Sequence, residues 1–316
     1  MKCGKDKLIT EVRHRGKPPL SAEVAILVDA AKARHGGVAA VLFYGSCLRN
    51  GRADVGIADF YLLVDAYQSA FASRFQAIAN RLLRPSVFYI EVPRAGKILR
   101  AKYAILTLKD FCKGTHTWFH SYIWGRFAQP SGLVYARDPI VAAWVYRAMA
   151  QAVRTFVRRA LPQAPETFTA RELWRVGLRL CYSCELRSER PGAAAHLVDA
   201  APGYYEAVTS LAVKGCGFDI DIVGDAQPFW YRSHISSQRR ALNRLAWRVR
   251  RVQGKVLSVL RLLKSLLTFE KGVDYVLWKI ERHSGVRINR PPADRHFPSV
   301  AICITIWRLF RRKAFR

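Results

Sequence analysis

The feature that most constrains this chain is a pair of short β-prone runs separated by a glycine-serine loop. Val38 to Tyr44 is a compact apolar run that stops at Gly45-Ser46. Asp59 to Asp65 (Asp-Phe-Tyr-Leu-Leu-Val-Asp) reads as a second strand after a loop with Gly51, Arg52, Asp54 and Gly56. Runs of this length bounded by turn residues are buried strands. A helix over 22–36 precedes them, with Ala22, Val24, Ala25, Leu27, Val28 and Ala31 at helical spacing. A second helix is expected over 68–83, carried by Phe71, Phe75, Ile78, Ala79 and Leu82. Strands Val87–Val92 and Ile98–Leu106 then meet across Pro93 to Gly96. The order helix, strand, loop, strand, helix, strand, strand is that of an α+β domain with a mixed sheet.

Beyond residue 108 helical spacing dominates. Helices are expected over 109–128 and 139–160, separated by Pro130 to Pro139. Thr169 and Glu172 form a capping box for the next one. The strongest periodicity lies in 239–267. Leu242, Leu245, Val249, Val252, Val256, Val259, Leu263 and Leu266 follow a three-four spacing without a miss. Arg239 to Lys264 holds nine basic residues and no acid. Two readings stand: a packing helix with a solvated polar face, or a basic amphipathic helix that meets an anionic lipid surface or nucleic acid. The apolar run Ser299 to Trp307 and the basic end after it repeat the theme, and nine residues are too few to span a bilayer.

Charge narrows the partners. The 52 Lys and Arg against 23 Asp and Glu leave +29 over 316 residues, which calls for a polyanion: nucleic acid, an anionic membrane or phosphorylated substrates. With 51% apolar residues, disorder through low hydrophobicity is excluded. The first 20 residues hold Asp6 and Glu11 and no apolar stretch, so they read neither as a secretory signal nor as a clear organelle presequence. Seven scattered cysteines, with Cys181 and Cys184 as a lone CxxC, read as reduced thiols rather than a zinc or redox site. His116, His120 and His283 form no ligand-like set.

The chemistry sits at the loop. A strand ending in Gly45-Ser46 lets backbone amides and a hydroxyl approach phosphates closely, which a side chain at 45 would hinder. Asp59 on the neighbouring strand can hold Mg²⁺ against those phosphates. Nucleotidyltransferases of the DNA polymerase β type usually present Asp-x-Asp, because alternate strand residues share a face. Here Tyr61 takes the second position. Asp65 lies about 20 Å further along an extended strand. Asp54 in the loop or Glu91 on the next strand remain as second ligands.

The sequence resembles the mitochondrial translocator assembly and maintenance proteins, which are peripheral-membrane phosphatidate cytidylyltransferases (CDP-diacylglycerol synthases). Their Tyr-Gly-Ser-Gly loop is similar to Tyr44-Gly45-Ser46-Cys47, and their Asp-Phe…Val-Asp strand to Asp59-Phe60…Val64-Asp65. A later Lys-Tyr pair resembles Lys102-Tyr103. A Tyr-Ile-Ala-Gly-Arg-Leu stretch resembles Tyr122-Ile123-Trp124-Gly125-Arg126-Phe127, and Tyr-Ser-Gly-Asp-Phe-Arg resembles Tyr182 to Arg187. The blocks cover roughly residues 40–190 in the family's order. Cys47 and Cys184 depart from family glycines.

The resemblance implies a nucleotidyltransferase domain over 1–108, a helical, winged-helix-like domain over 109–235 and a basic amphipathic membrane-contacting region over 236–316. It implies CTP + phosphatidate → CDP-diacylglycerol + pyrophosphate, with Mg²⁺ as cofactor and an anionic membrane surface, not nucleic acid, as partner. Tyr44, Gly45 and Ser46 would hold the nucleotide, Asp59 the metal, and Lys102 and Arg126 would neutralise phosphate. Tyr103, Tyr182, Ser183, Glu185 and Arg187 follow as secondary site residues, although the tyrosines read equally as core and Glu185 and Arg187 as a mutual pair. The expected location is the cytoplasmic face of a bacterial inner membrane, with the matrix side of the mitochondrial inner membrane as the alternative. Two competing readings are a nucleotidyltransferase for RNA or a small-molecule acceptor, and a non-catalytic basic binding protein.

Overall fold

A computed structural model describes residues 6–18, 20–51, 53, 56–186, 192–224 and 228–268. Helices α1 (Lys7–Arg15) and α2 (Ala22–Lys32) lead into strand β1 (Val38–Tyr44), the short helix α3 (Ser46–Asn50) and strand β2 (Ile57–Val64). Then come α4 (Tyr67–Ala70), α5 (Arg74–Leu82) and the hairpin β3 (Ser86–Arg94) and β4 (Lys97–Thr107). Next are α6 (Leu108–His116), α7 (Trp124–Phe127), β5 (Gly132–Ala136) and the long α8 (Pro139–Ala160). The chain continues through β6 (Thr167–Thr169), α9 (Ala170–Ser183), α10 (Ala193–Asp199) and α11 (Pro202–Ala212). It ends, within the described residues, with β7 (Ile220–Val223), β8 (Trp230–Ser233) and α12 (Ser237–Thr268).

The first sheet has the order β3-β4-β2-β1-β5, with β2 and β4 parallel and the other pairs antiparallel. This is the expected mixed sheet of an α+β protein. One face, carrying Val41, Phe60, Leu62, Tyr103 and Ile105, packs on α2 and α4. The other, carrying Leu42, Tyr61, Leu63, Ala104 and Leu106, packs on a layer that includes α1, α7, α8 and α9. A second sheet, β6-β8-β7, lies against α9 and α11. Between β6 and the hairpin of β7 and β8 the chain forms the three helices α9, α10 and α11. The expected division after residue 108 does not coincide with a gap in packing, because β5 completes the first sheet and α1 packs on α8.

Three expected elements differ. The helix over 68–83 is broken at Phe71 to Ser73, and α5 buries Ala77 and Asn80 while Phe75, Ile78 and Leu82 are exposed. The helix over 109–128 stops at His116, and the chain restarts as α7 only after residues 117–123. The stretch between Pro130 and Pro139 contains β5, too short for periodicity to reveal. The capping box at Thr169 and Glu172 is present on both arms.

The largest difference is α12. Its apolar stripe faces outward: Leu242, Leu245, Val249, Val252 and Val256 are each more than half exposed. The face that docks is the same three-four pattern read two residues earlier, namely Arg240, Asn243, Trp247, Arg250, Gly254, Leu257, Arg261 and Lys264. An offset of two residues turns about 200° around a helix, so the two stripes lie on opposite sides. The docked face reaches carbonyls left open where other helices end. Trp247 Nε1 and Asn243 Nδ2 donate to Arg159 O at 3.0 and 3.3 Å, and Arg250 Nε donates to Phe119 O at 2.6 Å. Arg261 Nε donates to Arg84 O at 2.7 Å, and Lys264 Nζ to Leu83 O at 2.6 Å.

Gly254 permits that docking, since a Cβ there would lie 2.3 Å from the Cys184 carbonyl oxygen. Gly254→Ala is expected to lower stability by about 1–3 kcal/mol through overpacking, measured by urea unfolding of the full chain.

Candidate functional site

The sheet register assembles the site. Tyr44 pairs with Asp59 across β1 and β2, Asp59 pairs with Lys102 across β2 and β4, and Lys102 pairs with Tyr89 across β4 and β3. Paired residues share a face, so the Asp59 carboxylate and the Lys102 ammonium project on the same side as Tyr44. Gly45 follows directly with φ +88°, a conformation that L side chains rarely adopt. A Cβ built on Gly45 would stand 2.8 Å from Asp59 Oδ2. The glycine therefore keeps the approach to the carboxylate open, and the exposed Ser46 begins α3 beside it.

Arg126 joins this row from the layer above. Its Nη1 donates to the Tyr61 hydroxyl at 3.0 Å and its Nη2 to Glu185 Oε1 at 3.3 Å. Its guanidinium lies 5.5 Å from the Tyr44 ring centre and 4.4 Å from that of Tyr122. Arg261 of α12 also lies against Tyr122, its guanidinium 4.4 Å from the ring centre. Burial raises the Tyr122 phenol, but Arg126 and Arg261 outweigh it and hold the group below its ordinary value. Sequence reasoning missed Arg261, because a residue of the docked stripe carries no local motif; the repeated spacing of that stripe was the available signal.

Other candidates separate. Tyr103 points to the opposite face, where its hydroxyl meets His35 Nε2 at 2.9 Å and its ring stacks on Phe88. Asp65 lies beyond the far end of β2, paired with Arg137 at 2.6 Å, and β2 runs on without folding back. Glu91 shares Asp59's face but is two strands away, about 10 Å, and is held by Tyr89 and Arg100 at 2.7 and 3.1 Å. Neither can share an ion with Asp59. Asp54 and Arg187 lie outside the described residues. Tyr182 donates to Gln129 Oε1 at 3.2 Å, and Ser183 accepts from Arg251 Nε at 3.3 Å, so both serve packing around α9. Glu185 pairs with Arg126. Cys181 and Cys184 are buried free thiols, and no group of three metal-ligating side chains occurs among the described residues.

A mixed sheet that presents a glycine-serine turn beside a strand carboxylate, with cations in register, defines a nucleotidyltransferase-like α+β protein. Residues 59–199 match the family model described as phosphatidate cytidylyltransferase, mitochondrial, so this segment is similar to that family. No curated protein matches the chain. The match begins at Asp59, so the Gly45-Ser46 turn stands on geometry. Among the described residues no helix is long and apolar enough to cross a membrane.

His120 beside this site is held neutral. Burial, with Arg261, Arg159 and Arg84 nearby, pushes its imidazole down to about 4. The unfolded chain, titrating near the ordinary value of about 6.5, then binds more protons than the fold. Stability is complete above that value and declines as pH falls toward about 4. His120→Gln is expected to flatten that decline, read as the difference in urea midpoint between variant and wild type from pH 7 to 4.

Proposed function

We propose that this protein transfers the cytidylyl group of CTP to phosphatidate at a membrane surface, giving CDP-diacylglycerol and pyrophosphate. The observation that carries the reading is the space that Gly45 leaves before the Asp59 carboxylate, where a Cβ would stand 2.8 Å from Oδ2, in register with Lys102 and at the start of the family-matched segment. The open glycine turn and the amides that begin at Ser46 suit a triphosphate. A phosphatidate oxygen forms the new bond to the α-phosphorus as the bond to pyrophosphate breaks. The acceptor phosphate is already an anion, so no general base is required, and charge neutralisation with in-line positioning carries the rate. Lys102 supplies a point charge and Arg126 a planar fork, fixed by Tyr61 and Glu185.

The donor set suits Mg²⁺. This ion binds through one or two carboxylates, substrate phosphates and water, and Asp59 is a hard oxygen donor with no side chain opposite it at Gly45. Bound there, it would neutralise charge developing on the α-phosphate and the leaving pyrophosphate. Among the described residues Asp65 and Glu91 lie too far away to share the ion, so its other positions would be filled by the nucleotide, water and Asp54, which lies outside the described residues.

Membrane attachment rests on α12 and α5. The outward stripe of α12 runs along a helix about 48 Å long, and its flanks carry the exposed Arg239, Arg244 and Arg248. The exposed Phe75, Ile78 and Leu82 lie on α5, which touches the end of α12 through Asn80 and Leu83. Two apolar faces with basic flanks suit an anionic lipid surface. Of the two expected locations, the family's description favours the mitochondrial one.

The decisive assay is pyrophosphate release and CDP-lipid formation from CTP, Mg²⁺ and phosphatidate vesicles. Gly45→Ala and Asp59→Ala are each expected to lower turnover at least about 100-fold, in line with the loss of a transition-state contact. Transfer to RNA or a small alcohol in place of the lipid would sink the reading. Replacing Leu245, Val249 and Val252 together by Ser is expected to weaken co-sedimentation with anionic vesicles at least about tenfold. The urea midpoint should move little, because these side chains are exposed in the fold.

A further inference from the structure

Arg126 is held at four points. Its Nη1 donates to the Tyr61 hydroxyl at 3.0 Å, and the ring centres of Tyr122 and Tyr44 lie 4.4 and 5.5 Å from the guanidinium. These three partners are tyrosines. The fourth, Glu185, carries a charge, yet its contact is the longer of the two hydrogen bonds, one oxygen at 3.3 Å from Nη2. Charge-assisted bonds of this type run at about 2.7–2.9 Å, and Arg84–Asp110 and Arg171–Asp199 reach 2.7 and 2.8 Å in this fold. Both side chains of the Arg126–Glu185 pair stay partly open to solvent, at 20% and 29%. Glu185 stands in the turn that ends α9, its amide donating to Tyr182 O at 2.9 Å, while Arg126 and Tyr61 sit on α7 and β2. The carboxylate also bears on the nucleotide side. Burial raises the Tyr44 phenol; Arg126 opposes that, and Asp59 and Glu185 both add to it. Negative charge from Glu185 is thus felt at the residue that leads into the Gly45-Ser46 turn, where an anionic ligand has to settle.

We propose that Glu185 is a positioning residue that holds Arg126 before nucleotide binds, yields it to a phosphate of the bound nucleotide, and takes it back as product leaves. The inference rests on the reading of the protein as a cytidylyltransferase and adds a device to that site. A phosphate offers the guanidinium several oxygens and more charge than a carboxylate that touches it through one oxygen at 3.3 Å. The exchange costs little, because a partly solvated ion pair contributes little to begin with. Arg126 need not swing far either. Tyr61 and the two rings keep their contacts, and only the partner of Nη2 changes. Without Glu185 the guanidinium keeps its grip on the departing pyrophosphate, and turnover then waits on release.

The test is calorimetric binding of CTP and of tripolyphosphate, each with Mg²⁺ and without lipid, to the full chain. Glu185→Gln is expected to bind both at least about threefold more tightly than wild type, within the range for loss of a competing, partly exposed ion pair. Glu185→Ser should tighten binding likewise. Glu185→Asp, which keeps the charge on a shorter arm, should lie between Glu185→Gln and wild type. In an Arg126→Gln background the change Glu185→Gln should move affinity by less than about 1.5-fold, since its effect runs through Arg126. In turnover assays Glu185→Gln should lower the KM for CTP and kcat together, and strengthen inhibition by added pyrophosphate at least about threefold. A residue that only props up the fold would instead weaken binding when replaced. Unchanged or weaker CTP binding in both Glu185→Gln and Glu185→Ser overturns the inference, as does an equal gain in the Arg126→Gln background, which would mark plain charge repulsion. Wild-type transfer to phosphatidate beside either of those results would reject the exchange and leave the proposed reaction standing. Tighter tripolyphosphate binding in the Glu185 variants, with no transfer from CTP to phosphatidate, would do the reverse.

Discussion

The backbone carbonyls at the ends of α5 and α8, and in the turn after α6, are the constraint around which this protein is organised. Such groups have no partner within their own helices and are costly to bury unpaired. A single long helix laid across them provides donors in sequence: Trp247 and Asn243 at Arg159, Arg250 at Phe119, Arg261 at Arg84 and Lys264 at Leu83. Cations also suit the negative end of a helix dipole. The apolar stripe of α12 is left free because its basic stripe is the one the core requires. The helix thus docks by its polar side and offers its apolar side outward, the inverse of an ordinary surface helix.

That inversion links the parts of the molecule. Arg261, one of the residues that fix α12, lies against Tyr122 and near His120, and Tyr122 in turn lies against Arg126. Gly254 closes the distance between α12 and Cys184 at this point. The lone Cys181–Cys184 pair finds its role here as well: Cys181 packs on Gly125 and Cys184 on Gly254.

The missing second carboxylate of the usual Asp-x-Asp has a structural counterpart. Tyr61 occupies the position two residues after Asp59 on the same face, and its hydroxyl accepts from Arg126. A position that elsewhere holds a metal ligand here anchors a guanidinium. Charge in this site is thus weighted toward cations from Lys102, Arg126 and Arg261, in keeping with two anionic substrates.

Much of the sheet was legible because strands are local. The apolar runs ending at Tyr44 and Val64 and the turn at Gly45 follow from residue type and spacing, and alternation puts Asp59 and Tyr61 on one face. The same alternation separates Lys102 from Tyr103, although their adjacency as a motif drew them together. The breaks at residues 71–73 and 117–123 were not legible, since neither holds a proline to mark it and the apolar spacing runs on across both. Nor was β5, whose pairing with β1 is decided across the fold.

Periodicity fixed that 239–267 is a helix with two faces; it did not fix which face docks. Hydrophobicity alone assigns the core to Leu242, Leu245 and Val249. Only the folded arrangement shows unpaired carbonyls waiting opposite the basic side, and satisfying buried polar groups outweighs burying a stripe that another surface can cover. The sequence by itself therefore determined the elements, the open turn at Gly45 and the carboxylate beside it. The tertiary structure decided which way the last helix faces and brought Arg261 to the site, because both depend on partners far away in the chain.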